Sequence, residues 1–141
     1  MKSAFQELNQ INGQVNSTYH EAAVKMGLSD SEFWIFYVLL TNEEGCLQTV
    51  LCRETGMTKS TVNSALKKME KEGFLYLTPG SGRNTCVYLT EKGKKLAEKT
   101  VCRLIEMENQ IYESWSKEEQ ALLLRLNRDF LVKVAEMVKS L

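Results

Sequence analysis

Apolar residues recur every three or four positions over most of this chain, and the recurrence stops where capping and turn residues stand. Phe5, Leu8, Ile11, Val15, Tyr19, Ala22 and Met26 share one face, which predicts a long N-terminal helix. Ser29 and Glu32 have the spacing of a capping box, and Leu28 with Phe33 fits a hydrophobic staple, so a second helix starts there. Leu47–Thr55 reads as a short helix with Val50, Leu51 and Cys52 turned inward, and Gly56 and Met57 supply a tight turn. Thr58 then caps a helix that runs to Gly73, with Val62, Leu66 and Met69 at i, i+4 and i+7 as its buried stripe.

The period then changes from that of a helix to that of a strand. Phe74 to Leu77 and Cys86 to Leu89 are short runs rich in aromatic and branched residues, joined by a segment with Pro79, Gly80 and Gly82, which predicts a hairpin with Arg83 at its tip. Thr90 caps what reads as one long helix toward Trp115. Ser116 and Glu119 form a second capping box, opening a last helix whose seam is Leu123, Leu126, Phe130, Val134, Met137 and Leu141. The fold class expected is mainly α with a small two-stranded wing: a winged helix-turn-helix plus long N- and C-terminal dimerisation helices. One domain is expected over residues 1–141, with a winged lobe at 30–95 and helical dimerisation regions at 1–27 and 96–141.

The order helix, turn, helix, hairpin points to a DNA-binding module. Its second helix turns Lys59, Ser60, Thr61, Asn63, Ser64 and Lys67 to an open face, with Lys68 beside it, and such side chains donate to phosphates and base edges. Lys59, Lys67 and Lys68 are candidates for phosphates, and Arg83 for phosphate or the minor groove. Asn63, Ser64, Ser60 and Thr61 are candidates for base edges, Asn63 being able to pair bidentately with adenine. Ser60 and Thr61 have an alternative role, satisfying free amides near the helix start. Gln48 and Thr49, at the start of the preceding helix, are placed to donate to backbone phosphates.

The chain has 141 residues, 43% of them hydrophobic, which suffices for one core. Its net charge of zero looks unsuited to a polyanion until it is divided by region. Residues 1–46 carry −4, residues 47–95 carry +5 and residues 96–141 carry −1, so the positive charge gathers on the winged segment. Four cysteines without C-x-x-C spacing and one histidine offer neither a zinc site nor a disulfide framework, and reduced thiols are expected. No cofactor is called for. No apolar run is long enough to span a bilayer and no signal-peptide core stands at the N-terminus, so a soluble cytoplasmic protein with no membrane partner is expected. The absence of a catalytic constellation argues against an enzyme.

The Leu89-Thr90-Glu91-Lys92-Gly93 junction after the wing, together with Thr58-Lys59-Ser60-Thr61-Val62 opening the second helix of the motif, resembles the MarR family of bacterial transcription regulators, and the resemblance extends over nearly the whole chain. Where that family's wing often carries Asp-x-Arg, this chain has Ser81 and Arg83, keeping the arginine without the acid that would orient it. The resemblance implies a homodimer on a double-stranded, pseudo-palindromic DNA operator, acting as a repressor released by a small phenolic or anionic effector. The apolar surface of the terminal helices, larger than a winged module can cover, agrees with a dimer. Tyr19, His20, Phe33, Trp34 and Tyr37 are the candidates to line the effector site; aromatics at helical spacing also serve as core. Two other readings stand beside this one. A winged helix can be a protein-protein interaction scaffold, and Cys102, near Lys99 and Arg103, or Cys46 can make the regulator redox-responsive.

Overall fold

The computed structural model describes residues 3–42, 45–79 and 85–141. Along the chain the elements are α1 (Ala4–Lys25), α2 (Asp30–Thr41), β1 (Cys46–Leu47), α3 (Gln48–Thr55), α4 (Lys59–Lys71), β2 (Leu75–Pro79), β3 (Thr85–Leu89), α5 (Glu91–Lys99), α6 (Val101–Glu113) and α7 (Lys117–Val138). The chain divides into two compact units, residues 1–103 and 104–141.

In the first unit the predicted helix starts are present. Ser29 and Glu32 exchange side-chain to backbone hydrogen bonds at 3.1 and 3.2 Å, closing the box that opens α2. Ser3 and Gln6 make a like box for α1, which the sequence reading did not single out. The Thr58 hydroxyl accepts from the Thr61 N–H at 3.2 Å and starts α4. Gly56 ends α3 with φ 73°, the left-handed conformation in which a side chain is strained. The core forms where α2, α3, α4 and the sheet meet: Phe33, Ile35, Phe36, Leu51, Val62, Leu66, Met69, Leu75 and Val87 are all buried.

Two features depart from the expected elements. The wing hairpin β2–β3 pairs from Leu75↔Leu89 to Pro79↔Thr85, and β1 adds a third antiparallel strand through Cys46↔Val87 and Leu47↔Cys86, in the order β1-β3-β2. A two-residue strand has no period of its own and exists through its long-range partner. The helix expected to run unbroken from Thr90 toward Trp115 is interrupted at Thr100 (φ −124°, ψ −91°). There the Thr100 hydroxyl donates to the Leu96 carbonyl at 2.7 Å, and the Thr100 N–H goes to Ala97 at 3.2 Å. The hydroxyl thus bonds the carbonyl that the backbone N–H would take in an unbroken helix.

The root of the wing explains the Thr90-Glu91-Lys92-Gly93 run. Thr90 caps α5 by accepting from the Gly93 N–H at 3.0 Å, and its hydroxyl donates to the Gly73 carbonyl at 2.6 Å. Its backbone N–H donates to the Phe74 carbonyl at 3.1 Å. Lys92 Nζ donates to the Glu72 carbonyl at 2.7 Å and lies 4.9 Å from the centre of the Phe74 ring, a cation–π contact. Gly93 is required for space: a Cβ there would sit 1.9 Å from the Phe74 carbonyl oxygen. Thr90, Lys92 and Gly93 thereby join the end of α4 to the start of α5.

In the second unit Ser116 and Glu119 close the predicted box at the start of α7, at 2.8 and 3.1 Å. Those bonds from the Ser116 backbone, and secondarily its side chain, hold the Glu119 carboxyl below its ordinary pKa. Gln120 is buried and donates to the Tyr112 and Trp115 carbonyls at 2.9 and 3.1 Å, satisfying the corner between α6 and α7. Along α7 and to the last residue most of the predicted apolar seam is exposed: Leu123, Leu126, Met137 and Leu141 are open to solvent, Phe130 keeps 48% of its surface accessible, and Val134 is half-buried. No helix among the described residues is long and apolar enough to cross a membrane.

Gly93→Ala is expected to destabilise the fold by about 3 kcal/mol or more, because the added methyl meets backbone rather than a yielding side chain. Gly13→Ala, mid-helix with no atom near its Cβ, should stabilise by about 0.5–1 kcal/mol. Urea unfolding of both variants beside the parent checks the pair, and equal midpoints would contradict it.

Candidate nucleic-acid interface

The geometry of α4 follows from its buried stripe. Val62 and Met69 have no accessible surface and Leu66 has 1%, so the helix is held on α2, α3 and β2 in one rotational setting. With that face fixed, Lys59, Ser60, Thr61, Ser64, Lys67 and Lys68 are exposed and Asn63 is half-buried. No aromatic residue stands on α4. Thr49 is exposed and Gln48 half-buried at the start of α3. Arg83 lies outside the described residues.

Four of the candidates have side-chain partners, and those of Gln48, Asn63 and Lys68 are ones that sequence spacing does not disclose. Gln48 Nε2 donates to Asn63 Oδ1, joining the first turn of α3 to the outward side of α4. Thr61 is bonded twice to the cap residue: its hydroxyl accepts from Thr58 Oγ1 at 2.9 Å, and its N–H donates to the same Thr58 oxygen at 3.2 Å. Lys68 Nζ donates to Glu32 Oε1 at 3.3 Å. Glu32 is only 6% exposed and already accepts from the Ser29 N–H, so one carboxylate both caps α2 and holds the last turn of α4. A buried charge deprived of its partner is strongly unfavourable, so this contact fixes the two helices more firmly than an exposed pair would.

Of the residues expected at an effector site, four come together. The Tyr19 and Trp34 rings lie 5.4 Å apart, Phe33 and Trp34 meet edge-on at 4.9 Å, and Tyr37 lies 5.4 Å from Trp34. His20 belongs instead to an exposed contact, its Nδ1 2.9 Å from Asp30 Oδ1. A cavity of about 440 Å³ lies elsewhere in the same unit, between the end of α2, the sheet and α5. Leu39, Leu40, Asn42, Gly45, Tyr76, Val87, Tyr88, Leu89, Lys94, Glu98 and Cys102 line it, and Tyr76 stacks on Tyr88 at 5.3 Å and 15°. None of the five expected residues contributes to it. The cue that existed in the sequence was the alternation of Tyr76 and Tyr88 on strands that proved to pair directly.

No disulfide joins any of the four cysteines. Burial pushes the Cys46 thiol from its ordinary 9.0 up to about 11, with the Glu54 carboxylate and Cys86 adding to the rise and Arg53 opposing it. A thiol so raised is protonated at neutral pH and lacks the thiolate that redox sensing needs. Cys102 is half-buried at the edge of the cavity. Among the described residues no cluster of three or more His, Cys, Asp or Glu side chains is arranged to hold a metal ion.

Comparison with known proteins agrees with this geometry. A sequence profile described as MarR family matches residues 26–83. A MarR family regulator from Neisseria meningitidis superposes with a TM-score of 0.80 at 20% identity, covering 99% of this chain and 98% of that one. A MarR/EmrR family transcriptional regulator from Acinetobacter gives 0.76 at 25% identity over 96% and 99% of the two chains. MepR of Staphylococcus aureus, in its complex with DNA, gives 0.72 at 18% identity over 95% and 99%. No curated protein matches the sequence significantly. The likenesses of lowest identity are likenesses of fold.

The Cys46 shift makes a pH prediction. Because the folded thiol ionises near 11 and the unfolded one near 9.0, its contribution to stability is complete below pH 9 and is lost as pH rises through 11. Urea midpoints measured from pH 8 to 11 should fall more steeply for the parent than for Cys46→Ala. Parallel curves would show that Cys46 ionises normally.

Proposed function

We propose that this chain, a MarR family winged helix-turn-helix protein over residues 26–83, is a dimeric transcription regulator that binds a pseudo-palindromic operator in double-stranded DNA. The observation that carries the reading is the polar, cationic, aromatic-free face of α4, set outward by a fully buried stripe on the opposite side. In this reading α4 enters the major groove. Lys59 and Lys67 take phosphates, and Asn63, Ser64 and Ser60 face base edges. Thr61 stands next to them, while Thr49 and Gln48 approach the backbone from the start of α3. Lys68 reaches phosphate only from its pairing with Glu32. Arg83, which lies between β2 and β3 in the sequence, is proposed for the minor groove. A relative with this fold, MepR, is known in complex with DNA, which supports the partner class.

The exposed apolar residues of α1 and α7 support a homodimer built from those helices. Two recognition helices related by a two-fold axis would reach successive major grooves roughly 34 Å apart, which turns two weak half-site contacts into one selective one. The protein is proposed to act in the cytoplasm as a repressor released by a small phenolic or anionic effector. Such a ligand acts by preferring a dimer geometry in which the helices no longer match the grooves. Two places within residues 1–103 can receive it. The cavity offers Lys94 and the Tyr76–Tyr88 stack, and the cluster of Tyr19, Phe33, Trp34 and Tyr37, with His20 nearby, offers aromatic faces once the rings part.

Fluorescence anisotropy with the DNA upstream of the gene, across a salt series, tests the reading. The parent should bind tightly with a steep salt dependence. Lys67→Ala should weaken binding to all sequences and lower the salt slope by about one, and Asn63→Ala should cost about 1–3 kcal/mol of sequence discrimination. Phe130→Glu should yield monomers in sedimentation and lose most of the affinity. Weak binding that is indifferent to sequence and to all three variants would refute the regulator in favour of a protein-binding winged helix.

A further inference from the structure

Lys68 is the lysine of α4 that another helix holds. Its Nζ donates to Glu32 Oε1 on α2 at 3.3 Å. Among the described residues Lys59, Lys67 and Lys71 make no ion pair. We infer that Glu32 is a positioning residue that withholds Lys68 from the phosphate backbone and so limits the sequence-independent part of DNA affinity; this rests on the regulator reading above.

The contact has one chemical sense, since an ammonium only donates and a carboxylate only accepts. Glu32 is its fixed member. The same Oε1 accepts from the Ser29 N–H at 3.2 Å, and the Glu32 N–H donates to the Ser29 hydroxyl at 3.1 Å, so the capping box of α2 sets the carboxylate whether or not a lysine is present. The Glu32 side chain is 8% exposed and that of Lys68 59%. A carboxylate so enclosed is costly to leave unpaired, whereas the ammonium sits at the rim on a flexible stem that can reach a second anion. Lys68 lies one turn after the exposed Ser64, on the side of α4 assigned to DNA, so that second anion is a phosphate. While the pair holds, the two charges cancel and Lys68 displaces no counterion from the duplex.

Glu32→Gln removes the charge and keeps the cap, because Gln6 closes the same kind of box with Ser3 at the start of α1. The full-length parent, Glu32→Gln, Lys68→Ala and the double variant are compared across a salt series on a random-sequence duplex and on an operator obtained by selection. Glu32→Gln should bind the random duplex several-fold more tightly, with a salt dependence steeper by about 0.9 per half-site, the value of one added phosphate contact. Lys68→Ala should flatten the parent's slope less than half as much as Lys67→Ala does. In the Lys68→Ala background Glu32→Gln should leave the slope where it was. That arm separates a freed lysine from the plain loss of an acid, which would act equally in both backgrounds. A slope that Glu32→Gln leaves unchanged, or steepens as much without Lys68, would overturn the inference while leaving the regulator intact. So would a Lys68→Ala slope as flat as that of Lys67→Ala, a result that does not depend on Glu32→Gln folding. A parent from which no operator can be selected would overturn the regulator reading, and this inference with it.

Discussion

Burial of Val62, Leu66 and Met69 fixes the rotation of α4 about its own axis, and every outward-facing polar residue of that helix takes its direction from those three side chains. A helix rotated by one residue turns through about 100°, enough to carry Asn63 and Lys67 off the open face. Truncating one such core residue to alanine typically costs 2–5 kcal/mol, so the setting is strongly enforced. The Glu32–Lys68 pair and the Gln48–Asn63 bond act on the same helix from α2 and α3, adding directional polar contacts to a non-directional apolar one.

The wing depends on a second, more local constraint. Because Gly93 has no side chain, the Phe74 carbonyl can approach α5, and Thr90 and Lys92 then take the carbonyls of Gly73 and Glu72 that close α4. The hairpin thus leaves α4 and rejoins α5 at one anchored point. A surface built this way combines a rigid recognition element with an appended strand pair, an arrangement suited to reading one groove while touching the next.

Much of this was legible in the sequence because it is local. The Ser29–Glu32 and Ser116–Glu119 boxes, the Thr58 and Thr90 caps and the i, i+4, i+7 stripe of α4 each need only a few neighbouring residues to define them. What spacing missed depends on tertiary contact. The strand at Cys46–Leu47 exists through β3, and the break at Thr100 has no local signal, since Thr18 makes the same hydroxyl bond to the i−4 carbonyl inside an unbroken α1. Of the candidate interface, the exposed face of α4 was readable from periodicity. The partners of Asn63 and Lys68, on α3 and α2, were not, since residues 15 and 36 positions apart share no pattern. The cavity arises where the end of α2, the sheet and α5 meet, and no segment alone announces it.

The central claim is that two copies of α4, each held by its buried stripe, present their polar faces to DNA together. Hydroxyl-radical footprinting of the parent on an operator obtained by selection tests it most directly. The account predicts two protected windows on one side of the duplex, centred about one helical turn apart and related by the two-fold symmetry of the sequence. A single protected window, or uniform weak protection along the duplex, would contradict it.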